Sequence, residues 1–130
     1  TKTDLGCFVP ATDYLKAQRV RSLLQREYAA IMREVDLLLV PPFAGPPPSF
    51  DDVPPRSTRG RPALVESDRA RRTFNLLGAP AISVPCGFTS AGLPIGLQIA
   101  GRAMEDTLVL GAAHGYQQLT GWHRSRPPIG

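Results

Sequence analysis

Residues 73–101, TFNLLGAPAISVPCGFTSAGLPIGLQIAG, constrain the fold more than any other stretch of the chain. The segment has the pattern of a helix end, a buried strand, a turn over 88–94 and a second buried strand. Gly78 stands where a helix ends in a residue that tolerates positive φ. The apolar run over 81–86 has strand length, and residues 95–100 alternate with period two. Small residues on one side of the second strand indicate that another element packs close against it. Taken by itself, the segment is also compatible with a plain β-hairpin.

The composition is that of a soluble globular protein. Hydrophobic residues make up 42% of the 130-residue chain and charged residues 20%, which excludes a disordered chain. No apolar run approaches the roughly 20 residues that span a bilayer. The net charge of +4 is typical of a mildly basic surface and does not require nucleic acid as a partner. We expect one domain, no membrane or nucleic-acid partner, and a cytoplasmic location.

The cysteines and histidines show no metal-binding pattern. Cys7 and Cys86 lack CxxC spacing, and two reduced cysteines fit a cytoplasmic protein, although the sequence leaves a disulfide open. His114 and His123 are nine residues apart and stand alone. The sequence therefore gives no support to a zinc site.

A long amphipathic helix is predicted in the first third of the chain. Thr12 offers a hydroxyl as the N-cap, and Asp13 suits the first helical turn. Apolar residues then recur at intervals of three and four, which predicts one apolar stripe along an amphipathic helix. The stripe consists of Tyr14, Ala17, Val20, Leu24, Tyr28, Ile31 and Val35.

A short apolar run and a proline-rich segment follow this helix. The run over 37–40 is stopped by Pro41 and Pro42 and fits a fully buried strand, while its leucine content leaves a continuing helix as the alternative. The density of proline and glycine over 43–62 forbids long helices and sheet interiors. That segment is either a functional surface loop or a linker between domains.

Two further helices complete the pattern. Residues 63–77 form a second helix, and Glu105 with Asp106 suits the first turn of a third helix that ends near Gly121. The predicted buried face of the third helix consists of Leu108, Ala112, Tyr116 and Leu119. The order α, β, α, β, β, α predicts an α/β fold in which helices cover a mixed sheet.

Several of these segments resemble one enzyme family. FNLLGAPAISVPCG, followed by GLPIGLQIAGR and Glu105, is similar to the C-terminal part of the amidase signature family. DYLKAQRVR at 13–21 and VDLLLVP at 35–41 extend the resemblance over nearly the whole chain. The resemblance implies that residues 1–130 are the C-terminal segment of a single amidase domain. They would form part of a mixed β-sheet covered by helices, with a Pro-rich loop at about 41–62.

The resemblance also implies a chemistry that needs residues from elsewhere. The family hydrolyses carbon–nitrogen bonds of linear amides through an acyl-serine intermediate, using a serine nucleophile, a second serine in a cis peptide and a lysine. No glycine- and serine-rich run like the one that carries those serines occurs in this chain. We therefore expect no catalytic residue here, no activity of the chain alone, and no metal or organic cofactor.

Substrate-binding residues are expected in the loop after the first strand. By resemblance, Pro41, Pro42 and Phe43 lie near the substrate pocket. Family members commonly carry Pro-Thr at this point, so Pro42 removes one hydroxyl. Phe43 is then either an apolar wall of the pocket or a residue packed under the loop.

Asp68 is a second candidate for substrate binding. It stands seven residues before Asn75, as does the glutamine-binding aspartate in the corresponding chain of tRNA-dependent amidotransferases. An acid at this position pairs with a substrate ammonium group. Its neighbours Arg69, Arg71 and Arg72 provide the alternative of an internal salt bridge.

Three functions follow from these observations. The first is a C-terminal part of an amidase that acts on a small-molecule amide, with a homodimer left open. The second is the A subunit of a tRNA-dependent glutamine amidotransferase. The third is a non-catalytic binding module that holds a partner with its Pro-rich loop.

Overall fold

The computed structural model describes residues 4–43, 45 and 72–126. After a short 3-10 helix, the elements are α1 (Ala11–Ile31), β1 (Leu38–Val40), β2 (Ala81–Phe88), β3 (Pro94–Ala100) and α3 (Asp106–Leu119), and a second 3-10 helix follows at Trp122–Arg124. Residues 72–77 are also helical and are called α2. This order is the predicted one, and the α/β class with helices packed on a sheet is confirmed.

The sheet has the strand order β1-β3-β2, so that β3 is central. Among the described strands every pairing is antiparallel. Gln98 of β3 lies directly between Val40 of β1 and Ser83 of β2. Because partners in register point to the same side of a sheet, these three side chains share one face. A bulge interrupts the β2–β3 pairing between Pro85 and Gly87.

The predicted turn between β2 and β3 is present. The Thr89 N–H donates to the Leu93 carbonyl at 2.8 Å, and the Leu93 N–H donates to Thr89 Oγ1 at 3.1 Å. Gly92 has φ of +76°, which is a conformation that favours glycine. The alternating strand that follows the turn is therefore held in register by local hydrogen bonds.

Helices cover both faces of the sheet. On the α3 face, Val84 and Ile99 pack with Ala113, and all three are buried. On the opposite face, called the α1 face, Ala100 is fully buried against Phe74 and Leu77 of α2. Helix α1 completes this second core through half-buried side chains, and its Tyr28 ring meets the Phe74 ring edge-on at 6.1 Å between centroids.

Helix α1 begins one residue earlier than the predicted cap. Pro10 precedes the first helical residue, and its carbonyl accepts hydrogen bonds from the N–H groups of Asp13 and Tyr14. No side chain caps this end, so the prediction of Thr12 as the N-cap is wrong. Proline is suited to this point because the residue before the helix contributes its carbonyl to the first turn and no N–H is required of it. Asp13 lies in the first turn, as predicted.

The predicted stripe of α1 is only partly buried. Leu24 and Tyr28 are half-buried, as expected. The other five residues of the stripe, Tyr14, Ala17, Val20, Ile31 and Val35, are exposed.

Polar contacts also join α1 to α2. Arg21 Nε donates to the Leu76 carbonyl at 2.6 Å, and Gln25 Nε2 donates to the Leu77 carbonyl at 2.7 Å. The last carbonyls of a helix have no partner within the helix, and side chains of α1 satisfy them here. Gly78 ends α2 with φ of +73°, which confirms the predicted stop.

Helix α3 is rotated by one residue from its predicted orientation. Val109 and Ala113 are its buried residues, whereas Leu108 and Leu119 are exposed, which corrects the prediction for those two leucines. Ala112 and Tyr116 are half-buried, as expected. The rotation follows from a close approach at Gly101, where a Cβ atom would lie 2.6 Å from Val109 Cγ2.

None of the helices in the described part of the chain combines the length and apolar character that crossing a bilayer requires.

Candidate functional site

The loop after β1 packs onto the central strand. Pro41 is exposed, Pro42 is buried, and Phe43 is 45% exposed. Gly96 lies beneath the Pro42 ring, and a Cβ atom on Gly96 would be 3.0 Å from Pro42 Cγ. The Pro42 ring, which stands where family members commonly carry threonine, therefore makes a tight apolar contact with β3.

Two polar residues lie beside this contact, on the α1 face. Ser83 Oγ would be 3.3 Å from the same Cβ position on Gly96, so the hydroxyl and the Pro42 ring both border Gly96. Gln98 lies opposite Ser83 and is only 7% exposed. Its Oε1 atom is buried and has no hydrogen-bond partner in the described part of the chain.

The sequence predictions did not include Gln98 as a site residue. The signal was available, because Gln98 is the single long polar side chain in a strand whose other residues are apolar or small. In the alternating pattern it falls on the same side as Gly96 and Ala100. A glutamine on a buried face requires a hydrogen-bonding partner, which distinguishes it from the apolar residues around it.

A cleft of about 370 Å³ opens near the C-terminal end of α1. It is lined by Gln25, Tyr28, Ala29, Met32, Arg33, Leu77, Ala79, Arg102 and Ala103. Its main polar groups hold the fold together, since Gln25 binds the Leu77 carbonyl and the Tyr28 hydroxyl donates to the Gly101 carbonyl at 2.8 Å. Burial raises the pKa of the Tyr28 hydroxyl, which keeps it protonated as a donor. The cleft does not include Pro41, Pro42 or Phe43.

Arg102 joins the β3–α3 loop to the end of α1. Its Nε donates to the Met32 carbonyl at 2.8 Å, and its Nη2 donates to the Val35 carbonyl and to Asp36 Oδ1, both at 3.0 Å. Nη1 lies 3.2 Å from Glu105 Oε2. The hydrogen bond to Asp36 raises the pKa of the guanidinium. Because Nε, Nη1 and Nη2 of Arg102 all make hydrogen bonds within the chain, the side chain has a structural role at the rim of the cleft.

The described part of the chain contains His114 and two cysteines, which are residue types that can serve in metal binding or catalysis. The His114 ring lies 3.5 Å from the Gln118 side chain, one turn along the same helix. Across residues 4–43, 45 and 72–126, no three His, Cys, Asp or Glu side chains come together in a way that could hold a metal ion. Cys7 and Cys86 are both free thiols.

The second predicted substrate residue, Asp68, lies outside the described residues. The same is true of Arg69 and Arg71, and of nearly all of the predicted Pro-rich loop at 41–62, in which only residues 41–43 and 45 are described. Asp68 therefore stays a prediction.

Comparison with known proteins decides the family. The family model described as Amidase matches residues 5–110. The chain belongs to the amidase signature family. This confirms the resemblance drawn from FNLLGAPAISVPCG and GLPIGLQIAGR.

Relatives within the amidase signature family include amidotransferase subunits. The glutamyl-tRNA(Gln) amidotransferase A subunit of Synechococcus sp. (strain JA-2-3B'a(2-13)) is 42% identical over 118 residues, which cover 90% of this chain and 22% of the relative. The chain thus spans about a fifth of that protein's length.

Solved structures agree with the family and with the fold. A crystal structure of an amidase superposes with a TM-score of 0.70 and 30% identity, covering 89% of this chain and 27% of the solved one. The glutamyl-tRNA(Gln) amidotransferase A subunit from Thermotoga maritima superposes with a TM-score of 0.66 and 26% identity, covering 92% of this chain and 26% of the solved one. The elements described above are therefore arranged as in amidase signature proteins.

Proposed function

We propose that this chain is the C-terminal part of an amidase that hydrolyses carbon–nitrogen bonds of linear, small-molecule amides. The reaction proceeds through an acyl-serine intermediate, and the nucleophile lies outside these residues. The observation that carries the proposal is the family match over residues 5–110. An activated serine requires a neighbouring base and backbone donors for the oxyanion, and the proposal places these outside the chain because its sequence has no glycine- and serine-rich run.

The unpaired edges of the sheet and the exposed apolar side chains support the proposal that this chain is one part of a larger folded domain. β3 is paired on both sides, whereas β1 and β2 each have one edge without a partner strand among the described residues. Leu39 of β1 is 62% exposed, and Val20 and Ile31 of α1 are 56% and 52% exposed. Open strand edges and exposed apolar side chains are features that folded proteins normally cover. We therefore expect the chain to be inactive as an amidase when it is alone.

The substrate-binding residues in this proposal are Pro41, Pro42, Phe43 and Asp68. Pro42 is buried against Gly96, which fixes the start of the loop on the sheet. The half-exposed Phe43 then offers an apolar surface next to that anchor. Asp68 would pair with a positively charged group of the substrate.

The two free cysteines support a cytoplasmic location, because reduced thiols persist there. The proposal includes no membrane or nucleic-acid partner. The homodimer left open by the sequence is tested by light scattering on the purified protein.

The decisive experiment uses the polypeptide encoded by the whole reading frame that contains Thr1. Purified protein is incubated with aromatic and aliphatic amides, and ammonia release is followed. The matched control replaces by alanine the serine nucleophile of the glycine- and serine-rich segment that the proposal requires outside residues 1–130. We expect ammonia release that the control loses. Absence of release from every amide, or release that survives in the control, would contradict the proposal.

A second candidate function is the A subunit of a glutamine-dependent amidotransferase. It is favoured by the 42% identity to the Synechococcus protein. In this case the protein releases ammonia from glutamine only when partner subunits are present. Glutaminase activity is therefore measured with and without amidotransferase partner subunits. An Asp68→Asn variant that abolishes the activity would support this function, and hydrolysis of simple amides without any partner would favour the first proposal.

A further inference from the structure

Gln98 is a buried polar side chain that the described contacts leave unsatisfied. It lies in the centre of the sheet, 7% exposed, and its Oε1 atom has no partner among the described residues. Buried carbonyl oxygens in proteins are nearly always hydrogen-bonded, since an unpaired one costs free energy. The position of Gln98 therefore points to a donor that arrives from outside this part of the chain.

The surroundings of Gln98 connect it to the predicted substrate loop. Its neighbour across β1 is Val40, which directly precedes the loop. Its neighbour across β2 is Ser83, which is exposed. Between Gln98 and the turn stands Gly96, which has no side chain and is bordered by the Pro42 ring and the Ser83 hydroxyl. A ligand beside Pro42 and Ser83 would thus lie next to Gln98.

We propose that Gln98 is a substrate-binding residue that accepts a hydrogen bond at Oε1 from the N–H of the substrate's amide group. Ser83 Oγ provides a second polar contact on the same face. The inference rests on the proposed amidase function and names a residue that recognises the substrate class. A primary amide supplies the N–H donor that Oε1 lacks, and the matching ester does not.

The proposed hydrogen bond from the substrate N–H to Gln98 Oε1 predicts that the enzyme distinguishes amides from esters. A site that is built to hydrogen-bond a substrate N–H loses affinity for an analogue without it, because the buried acceptor is then left unpaired. Removing the acceptor should therefore impair turnover of the amide and leave the ester much less affected.

The test uses the complete enzyme and the variants Gln98→Met and Ser83→Ala. Gln118→Met serves as the matched control, because Gln118 is an exposed glutamine on α3. Turnover is measured with benzamide and with methyl benzoate. For Gln98→Met we expect kcat/KM for benzamide to fall roughly 10- to 100-fold and that for the ester to change less than about 3-fold. Ser83→Ala should show the same selectivity with a smaller loss, and Gln118→Met should match the wild type.

Each other outcome overturns the inference. Equal losses on amide and ester, together with a lower melting temperature for Gln98→Met, would mean that the donor belongs to the protein itself. Unchanged turnover of benzamide would mean that Gln98 does not contact the substrate.

The role of Gln98 can be tested even if the proposed amidase function is wrong. If the wild-type enzyme hydrolyses neither compound, calorimetry of benzamide binding replaces turnover. Binding by the wild type that Gln98→Met loses supports the role of Gln98 even without hydrolysis. Absence of wild-type binding, or equal binding by both proteins, refutes it.

Discussion

The two faces of the sheet differ in what covers them. The α3 face is closed by apolar side chains, with Val84 and Ile99 packed on Ala113. The α1 face is apolar where Ala100 is buried and where the Pro42 ring packs over Gly96, and it carries Ser83 and Gln98 between them. Because side chains alternate along a strand, the same two strands, β2 and β3, supply both faces. Both faces contain a core cluster, and only the α1 face combines its cluster with a buried polar side chain that lacks a described partner, which is why we propose that face for substrate binding.

The largest expected effect concerns the close approach of α3 to the sheet. Gly101→Ala would bring a Cβ atom to 2.6 Å from Val109 Cγ2, and the helix would have to move. We expect the free energy of unfolding to fall by about 3 kcal/mol, at the upper end for an overpacked core. The measurement is urea denaturation of the purified chain.

The control for this variant is Gly111→Ala. Gly111 lies within α3, and a Cβ atom there would meet nothing within 4 Å. Replacing an unhindered helical glycine by alanine should raise the free energy of unfolding by about 0.5–1 kcal/mol. If Gly101→Ala were as stable as the wild type, the α3 face would not be tightly packed.

Two adjacent residues of β2 compare the faces directly. Val84→Ala removes two methyl groups from the α3 face and should cost about 2 kcal/mol. Ser83→Ala changes an exposed residue on the other face and should alter stability by less than about 0.5 kcal/mol. Both values come from urea denaturation under identical conditions. If both substitutions lowered the free energy of unfolding equally, the two faces would not differ in how tightly these β2 side chains are packed.

A smaller effect of opposite sign is expected for Gln98 in the isolated chain. Gln98→Met replaces a buried amide, whose Oε1 has no partner among the described residues, by an apolar side chain of similar length. The free energy of unfolding should rise by roughly 1 kcal/mol, because the cost of the unpaired oxygen disappears. The exposed Gln118→Met variant should leave it unchanged. A clear loss of stability in Gln98→Met would show that the glutamine is satisfied within the chain.

The smallest effect depends on pH and concerns the α1 side of the fold. Burial raises the pKa of Tyr28 above 10.0, its ordinary value. As the pH rises past 10.0, the unfolded chain releases the tyrosine proton before the folded chain does, so stability falls with increasing pH. Tyr28→Phe should therefore show a shallower alkaline loss of stability than the wild type. Both proteins are compared in the same urea titrations, and an unchanged slope in Tyr28→Phe would contradict this expectation.

Much of the fold could be predicted from local patterns. The stop at Gly78, the turn before β3 and the alternation in β3 depend on backbone geometry and on period two, which the sequence carries directly. The packing of α1 on α2 and the rotation of α3 could not be predicted in this way. They depend on contacts between distant residues, namely the bond from Arg21 to the Leu76 carbonyl and the approach of Val109 to Gly101.

The residues of the candidate site also differ in how far the sequence could predict them. Pro41, Pro42 and Phe43 came from a family resemblance, because a proline next to a strand end has no chemical signature of its own. Gln98 carries a chemical signature, but its meaning required the register that sets it beside Ser83. Apolar periodicity identifies the strand, whereas the proposal for the site depends on the buried polar group within that strand.

The central claim is that this chain contributes strands, covering helices and substrate-binding residues to an amidase whose reactive serine lies outside residues 1–130. The most direct measurement is ammonia release from benzamide by the purified 130-residue chain, compared with the polypeptide encoded by the whole reading frame. The account predicts release by the longer polypeptide and none by the chain alone. Sustained release by the chain alone, abolished by a substitution of one of its own serines, would contradict it.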